Sequence, residues 1–249
     1  MFAEARRRLH PASGAEWMEC AGTYAVFNGI ESPVTQTFGF GVFEEATAAT
    51  LDTIERFFFE RGAHAAHEVS PFAGVAALDL LCERGYRPIE ISNVMYRAVD
   101  KPVTGERPHV SAAAAEAGET AMWADVLTRG WLNEHPEHGE FLREAGAISA
   151  ACEGNVRFLA RLDGCPGAAA ALSVHEGVAL LAGGATVPEM RRRGLQAALI
   201  EARMQYAFDR GCDLLMMVAE PGSNSQRNAG RNGFRVAYTR TKWRKDPAV

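Results

Sequence analysis

The sequence has 249 residues, 47% of them hydrophobic and 23% charged, which is the profile of a soluble chain able to build one large core or two ordinary ones. A formal net charge of −5 argues against a general nucleic-acid binder, and no apolar run reaches membrane-spanning length because charges and glycines interrupt each one. Five spread cysteines without a C-x-x-C pair, and a basic N-terminus with no apolar run behind it, point to reduced thiols in a cytoplasmic protein, with no secretory signal and no zinc site.

In chain order, residues 3–9 read as a short helix and residues 16–20 as another scrap of one. From Thr23 the texture turns to β: TYAVFNG and VTQTFGFGV are strands around a turn at Glu31-Ser32-Pro33. Thr47 or Thr50 then caps a helix whose Leu51, Ile54, Phe57 and Phe58 follow helical spacing and which stops at Gly62. AAHEVSP, the helix GVAALDLLCERG and the strand ISNVMYRAV close the first half. Residues 100–108, with two prolines, a glycine and several charges, read as a linker between a domain at 1–99 and a second at 109–249.

The second half opens on a strand at His109–Ala112 and a helix from Glu116 to about Trp131. A polar stretch with His135 and His138 leads to a helix around Glu140–Ala147. NVRFLARLDG, PGAAAALSV and VALLAGGATV are strands, the last two joined as a hairpin at His175-Glu176-Gly177. The helix LQAALIEARMQYAFDR, the strand CDLLMMVAEP, a helix from about Asn224 to Asn232 and the strand FRVAYTRTKW finish the chain. The halves repeat one another: each has a helix ending in Arg-Gly, a strand ending in proline, and a helix ending in Gly-aromatic-Arg before a last strand. The two glycines lie 23 positions apart in one half (62 to 85) and 22 in the other (211 to 233).

The chemistry concentrates where the strand Val178–Val187 turns through Pro188, Arg191, Arg192, Arg193 and Gly194 into a helix. A helix start leaves backbone N–H groups unpaired and favours negative charge, whereas three cations there oppose the dipole. Together they call for an anion such as a phosphate or pyrophosphate. At the same place the first half has VFEEATAATLD, with Glu44 and Glu45 in place of arginines, which would repel a pyrophosphate.

Arg191, Gly194 and, imperfectly, Gln196 match the Arg-x-x-Gly-x-Gly/Ala signature of the GNAT superfamily of N-acetyltransferases. Val187-Pro188-Glu189 and Gly233-Phe234 fit it too, and the second half from His109 to Trp243 resembles the whole family fold. The resemblance implies an α/β protein of two GNAT-like units in tandem, each a mixed sheet flanked by helices. The first copy has lost its cofactor and serves as wall or scaffold; the second binds acetyl-CoA and moves its acetyl group to an amine by direct attack on the thioester.

By the same resemblance the pantetheine pairs with backbone at Thr186 and Val187. The pyrophosphate sits on the N–H groups of Arg192, Arg193, Gly194, Leu195, Gln196 and Ala197, with the Gln196 side chain pointing away. Asn224 or Asn228 reaches the pantetheine. The family's tyrosine, a general acid for the leaving thiolate, is Ala229 here. Ser225 or the more distant Tyr238 is left as donor, unless the thiolate leaves unassisted. The central strand carries no acid, which leaves Glu220 as the candidate base. No metal is expected, nor nucleic acid or membrane; the partners are acetyl-CoA and a small-molecule or peptide amine, with a homodimer left open. Two alternatives stand beside the enzyme, a non-catalytic acyl-CoA-binding or sensing module and an acetyltransferase acting on protein N-termini or lysines.

Overall fold

The computed structural model describes residues 1–100, 107–132 and 139–247. Most of the expected linker, and His135 and His138, lie outside them. The chain forms two compact units. The first comprises Met1–Val94, Ala219–Ser223 and Val236–Val249; the second comprises Met95–Val218 and Asn224–Arg235. The units therefore do not follow chain order, since the C-terminal strand belongs to the first.

In the first unit, helix α1 (Phe2–Leu9) precedes strands β1 (Glu16–Cys20), β2 (Thr23–Phe27) and β3 (Gln36–Phe38). Then come α2 (Ala48–Phe59), β4 (Ala65–Val69), α3 (Gly74–Glu83) and the start of β5 (Arg87–Ala98). The final strand β11 (Arg235–Lys245) pairs antiparallel with β4, Thr241 opposite Val69 and Trp243 opposite His67. Residues 16–20 are a strand and not a scrap of helix: Trp17 pairs with Val26 and Cys20 with Thr23, so the neighbouring strand decides their conformation. The VTQTFGFGV stretch is strand only over Gln36–Phe38, because Gly39 and Gly41 take positive φ (79° and 69°) and turn the backbone out of the ladder. Leu51, Ile54, Phe57 and Phe58 of α2 are buried against Ala25, Phe27, Phe40, Val69 and Tyr86. Thr47 caps α2, its hydroxyl accepting from the Thr50 N–H at 3.1 Å.

In the second unit, β6 (Val110–Ala114) leads through a 3-10 turn with a Glu116/Glu119 capping box into α4 (Thr120–Leu132). Helix α5 (Gly139–Ala151) and strands β7 (Asn155–Leu162), β8 (Cys165–His175) and β9 (Val178–Thr186) follow. The unit is completed by α6 (Leu195–Asp209), β10 (Leu214–Ala219), α7 (Asn224–Arg231) and the end of β5. Strands β6 to β9 pair antiparallel in sequence order, and β10 joins β9 in parallel. Trp123, Val126 and Leu127 of α4 pack on Leu159, Ala169, Ala171 and Ala185. The next residue along, Phe158, instead meets Tyr206 of α6 edge-on, with centroids 5.7 Å apart. Successive strand residues face opposite ways, so α4 and α6 cover opposite faces of this sheet.

Candidate acetyl-CoA site

Strand β9 is irregular where the site is expected. Ala169 lies opposite Ala185 but Ala171 lies opposite Ala182, so β9 carries one extra residue, a β-bulge around Gly183 and Gly184. On its other edge β9 meets β10 only from Leu214↔Val178 to Met216↔Leu180. Beyond Leu180 the two strands part, and the edge of β9 up to Thr186 is left without a β10 ladder. Ala182 and Gly184 are exposed although the strand is central.

Helix α4 lies close on this strand. A Cβ on Gly130 would stand 2.6 Å from the Ala185 Cβ and 3.0 Å from the Thr186 nitrogen, so only glycine permits the approach. Arg129 of α4 reaches Glu189 after the strand at 2.6 Å.

After Thr186 the chain makes a 3-10 turn at Pro188–Met190 and then two left-handed residues, Arg192 (φ 62°) and Gly194 (φ 85°). Left-handed backbone strains arginine, which marks the turn as held by its surroundings. Arg191 is turned inward: its Nε donates to the Thr186 carbonyl at 3.2 Å and its Nη2 to the Gly130 carbonyl at 3.1 Å. Arg192 and Arg193 are exposed. Gly194 is the N-cap of α6 and no side chain caps that helix, in contrast to Thr47 on α2. The first-turn N–H groups of α6 thus lack the hydroxyl partner that their counterparts in the first unit possess. That first-unit turn presents Glu44 and Glu45, both exposed.

Gln196 does not point away. Its Nε2 donates to Thr186 Oγ1 at 2.7 Å, because the buried Thr186 hydroxyl offers an acceptor one helical turn from the strand end. The structure thereby brings Thr186, Arg191 and Gln196 into one hydrogen-bonded group. On α7, Arg227 donates to Asn224 Oδ1 at 2.7 Å and Arg231 to Asn228 Oδ1 at 3.1 Å, while Ser225 is exposed. Ala229 is fully buried, so a hydroxyl at that position would need the helix repacked. Glu220 is exposed and belongs to the first compact unit, as does Tyr238, whose ring stands edge-on to Phe72 with centroids 5.3 Å apart.

Two arginines escaped the sequence reading. Arg107 packs against Gly194, where an added Cβ would lie 3.4 Å from its Cδ, and it grips Glu201 of α6 with both Nη atoms. It lies inside the stretch read as a linker, so nothing in the sequence signalled its contact. Arg203 of α6 is buried and is taken up below.

Residues 120–234 match the family model described as the acetyltransferase (GNAT) family. This stretch is similar to the GNAT acetyltransferases. Among solved structures, a GCN5-related N-acetyltransferase from Kribbella flavida shares the fold with a TM-score of 0.71 at 21% identity, over 99% of this chain and 95% of that one. A GCN5-related N-acetyltransferase from Sphaerobacter thermophilus gives a TM-score of 0.63 at 16% identity, over 92% and 78%. A tandem GNAT protein from the clavulanic acid biosynthesis pathway gives 0.63 at 12% identity, over 91% and 79%. Comparison with curated proteins gives no match. The fold is therefore the tandem GNAT fold that the repeat implies. Among the described residues no helix is long and apolar enough to cross a membrane, and no group of His, Cys, Asp or Glu could hold a metal ion.

Proposed function

We propose that the GNAT domain of the second unit takes acetyl-CoA along the free edge of β9 and transfers its acetyl group to the nitrogen of an amine. One observation carries this reading: β9 and β10 separate after Leu180, and the separation runs into a left-handed turn and an uncapped helix start flanked by Arg192 and Arg193. The strand edge at Thr186 suits the amides of a pantetheine arm, whereas the buried Val187 gives its N–H to the Gly167 carbonyl at 2.9 Å on the β8 side. The N–H groups from Arg192 to Ala197 suit a pyrophosphate, which also offsets cations that would otherwise oppose the helix dipole. Backbone N–H groups of the bulge would polarise the thioester carbonyl. Asn224 or Asn228 is assigned to the pantetheine, Glu220 to deprotonation of the amine, and Ser225 or Tyr238 to the departing thiolate. The first copy, with a capped helix and an acidic turn, acts as scaffold.

Acetyl-CoA titrations by calorimetry test the placement. Arg192→Glu and Gly194→Trp are expected to weaken affinity at least tenfold, since the one reverses a charge at the anion and the other fills the backbone approach. Unchanged affinity in both variants overturns it. The buried Ala229 favours one second reading, an acyl-CoA-binding module without turnover, because the position of the family's acid offers no hydroxyl.

A further inference from the structure

Arg203 is 4% exposed, and burial lowers its pKa to about 10, which leaves it a cation at neutral pH. Among the described residues no carboxylate is bonded to it. Its Nε donates to the Leu199 carbonyl one turn earlier in α6, at 3.0 Å. Its Nη1 is shared between the carbonyls of Ala171 (3.2 Å) and Ala182 (3.4 Å). Those residues face each other where the β8–β9 register slips. A bulge breaks the regular ladder there, and the guanidinium supplies the missing donor.

The second carbonyl matters for chemistry. The Ala182 C=O and the Gly183 N–H belong to one peptide group, and every described peptide is trans, so the N–H leaves on the side opposite the carbonyl. The carbonyl faces α6, and the Gly183 N–H is therefore directed away from it. Gly183 itself is left-handed (φ 57°), and a Cβ on it would come within 4.0 Å of Trp131 on α4, which covers the opposite face. A hydrogen bond from a cation to a peptide oxygen draws charge from the peptide and makes its N–H a stronger donor, and the effect is larger away from water.

We infer that Arg203 is a positioning residue for acetyl transfer: from behind the sheet it holds and polarises the Ala182–Gly183 peptide, so that the Gly183 N–H receives the thioester oxygen. This rests on the acetyltransferase reading above. In the step served, the amine nitrogen forms a bond to the carbonyl carbon and the carbonyl electron pair moves onto oxygen, facing Gly183. That pair returns as the C–S bond breaks. Sulfur leaves as thiolate, the amine gives its proton to the base proposed above, and the thiolate takes one from the proposed donor, giving amide and free CoA thiol.

The test uses the full chain with acetyl-CoA labelled with 13C at the thioester carbonyl. The bound carbonyl resonance is compared in the wild type, Arg203→Gln and Arg203→Lys, beside calorimetric affinity. The wild type is expected to shift the resonance downfield of free acetyl-CoA. Arg203→Gln should lose most of that shift while affinity changes less than threefold, and Arg203→Lys should lie between. If the glutamine variant does not fold, the lysine variant must still show the reduced shift at preserved affinity. An equal shift in the variants, or no shift in a wild type that binds, overturns the role of Arg203. A wild type that does not bind acetyl-CoA instead overturns the acetyltransferase reading on which it rests.

Discussion

A buried histidine shows how single residues shape this protein. His67 is fully buried in the first unit, with Nδ1 2.9 Å from Thr37 Oγ1 and its ring packed on Phe40 and Tyr86. Burial lowers its pKa to about 3 from an ordinary 6.5, so the folded chain declines a proton that the unfolded chain accepts. Its contribution is complete above about pH 6.5 and is lost as pH falls towards 3, a loss on the order of a few kcal/mol. Glu68 beside it works the other way, since burial raises its pKa. Urea midpoints measured from pH 7 to pH 4 should therefore fall more steeply for the wild type than for His67→Gln; parallel curves would contradict the assignment. At this scale the turn between β9 and α6 was legible in the sequence, because Pro188 and Gly194 punctuate it. Arg203 was not legible. A lone arginine inside LQAALIEARMQYAFDR reads as a solvated charge, and only the bulge in β9 gives it carbonyls to bind.

Elements decide how the site opens. Helix α4 reaches β9 through Gly130, whose missing Cβ lets the helix backbone lie against Ala185 and Thr186. Gly130→Ala is expected to push α4 away, cost about 1–3 kcal/mol of stability and weaken acetyl-CoA binding, read by urea unfolding and calorimetry. A stable variant that binds normally would show that this contact does not set the strand edge. Most elements were visible from periodicity and punctuation, including α2 with its Thr47 cap and the β8–β9 hairpin. Those that were not visible depend on distant partners. The sequence EWMEC has no alternating apolar face and becomes β1 by pairing with β2. In β9 the pairing partners on both edges fix the bulge and the early parting from β10.

The whole molecule is a tandem fold in which the turn after β9 carries three arginines and the corresponding stretch of the first unit carries Glu44 and Glu45. The repeat was legible because each copy reuses the same glycine and proline punctuation. The membership of the last strand was not, because FRVAYTRTKW states that it is a strand but not which sheet it joins. Pairing with β4 places it in the first unit. The same division puts Glu220 and Tyr238 in that unit. The central claim, that the second unit turns over acetyl-CoA with an amine, is tested most directly by measuring CoA release across an amine library, with Gly194→Trp as control. The account predicts release with at least one amine and its loss in the control. Tight acetyl-CoA binding with no release across the panel would contradict it.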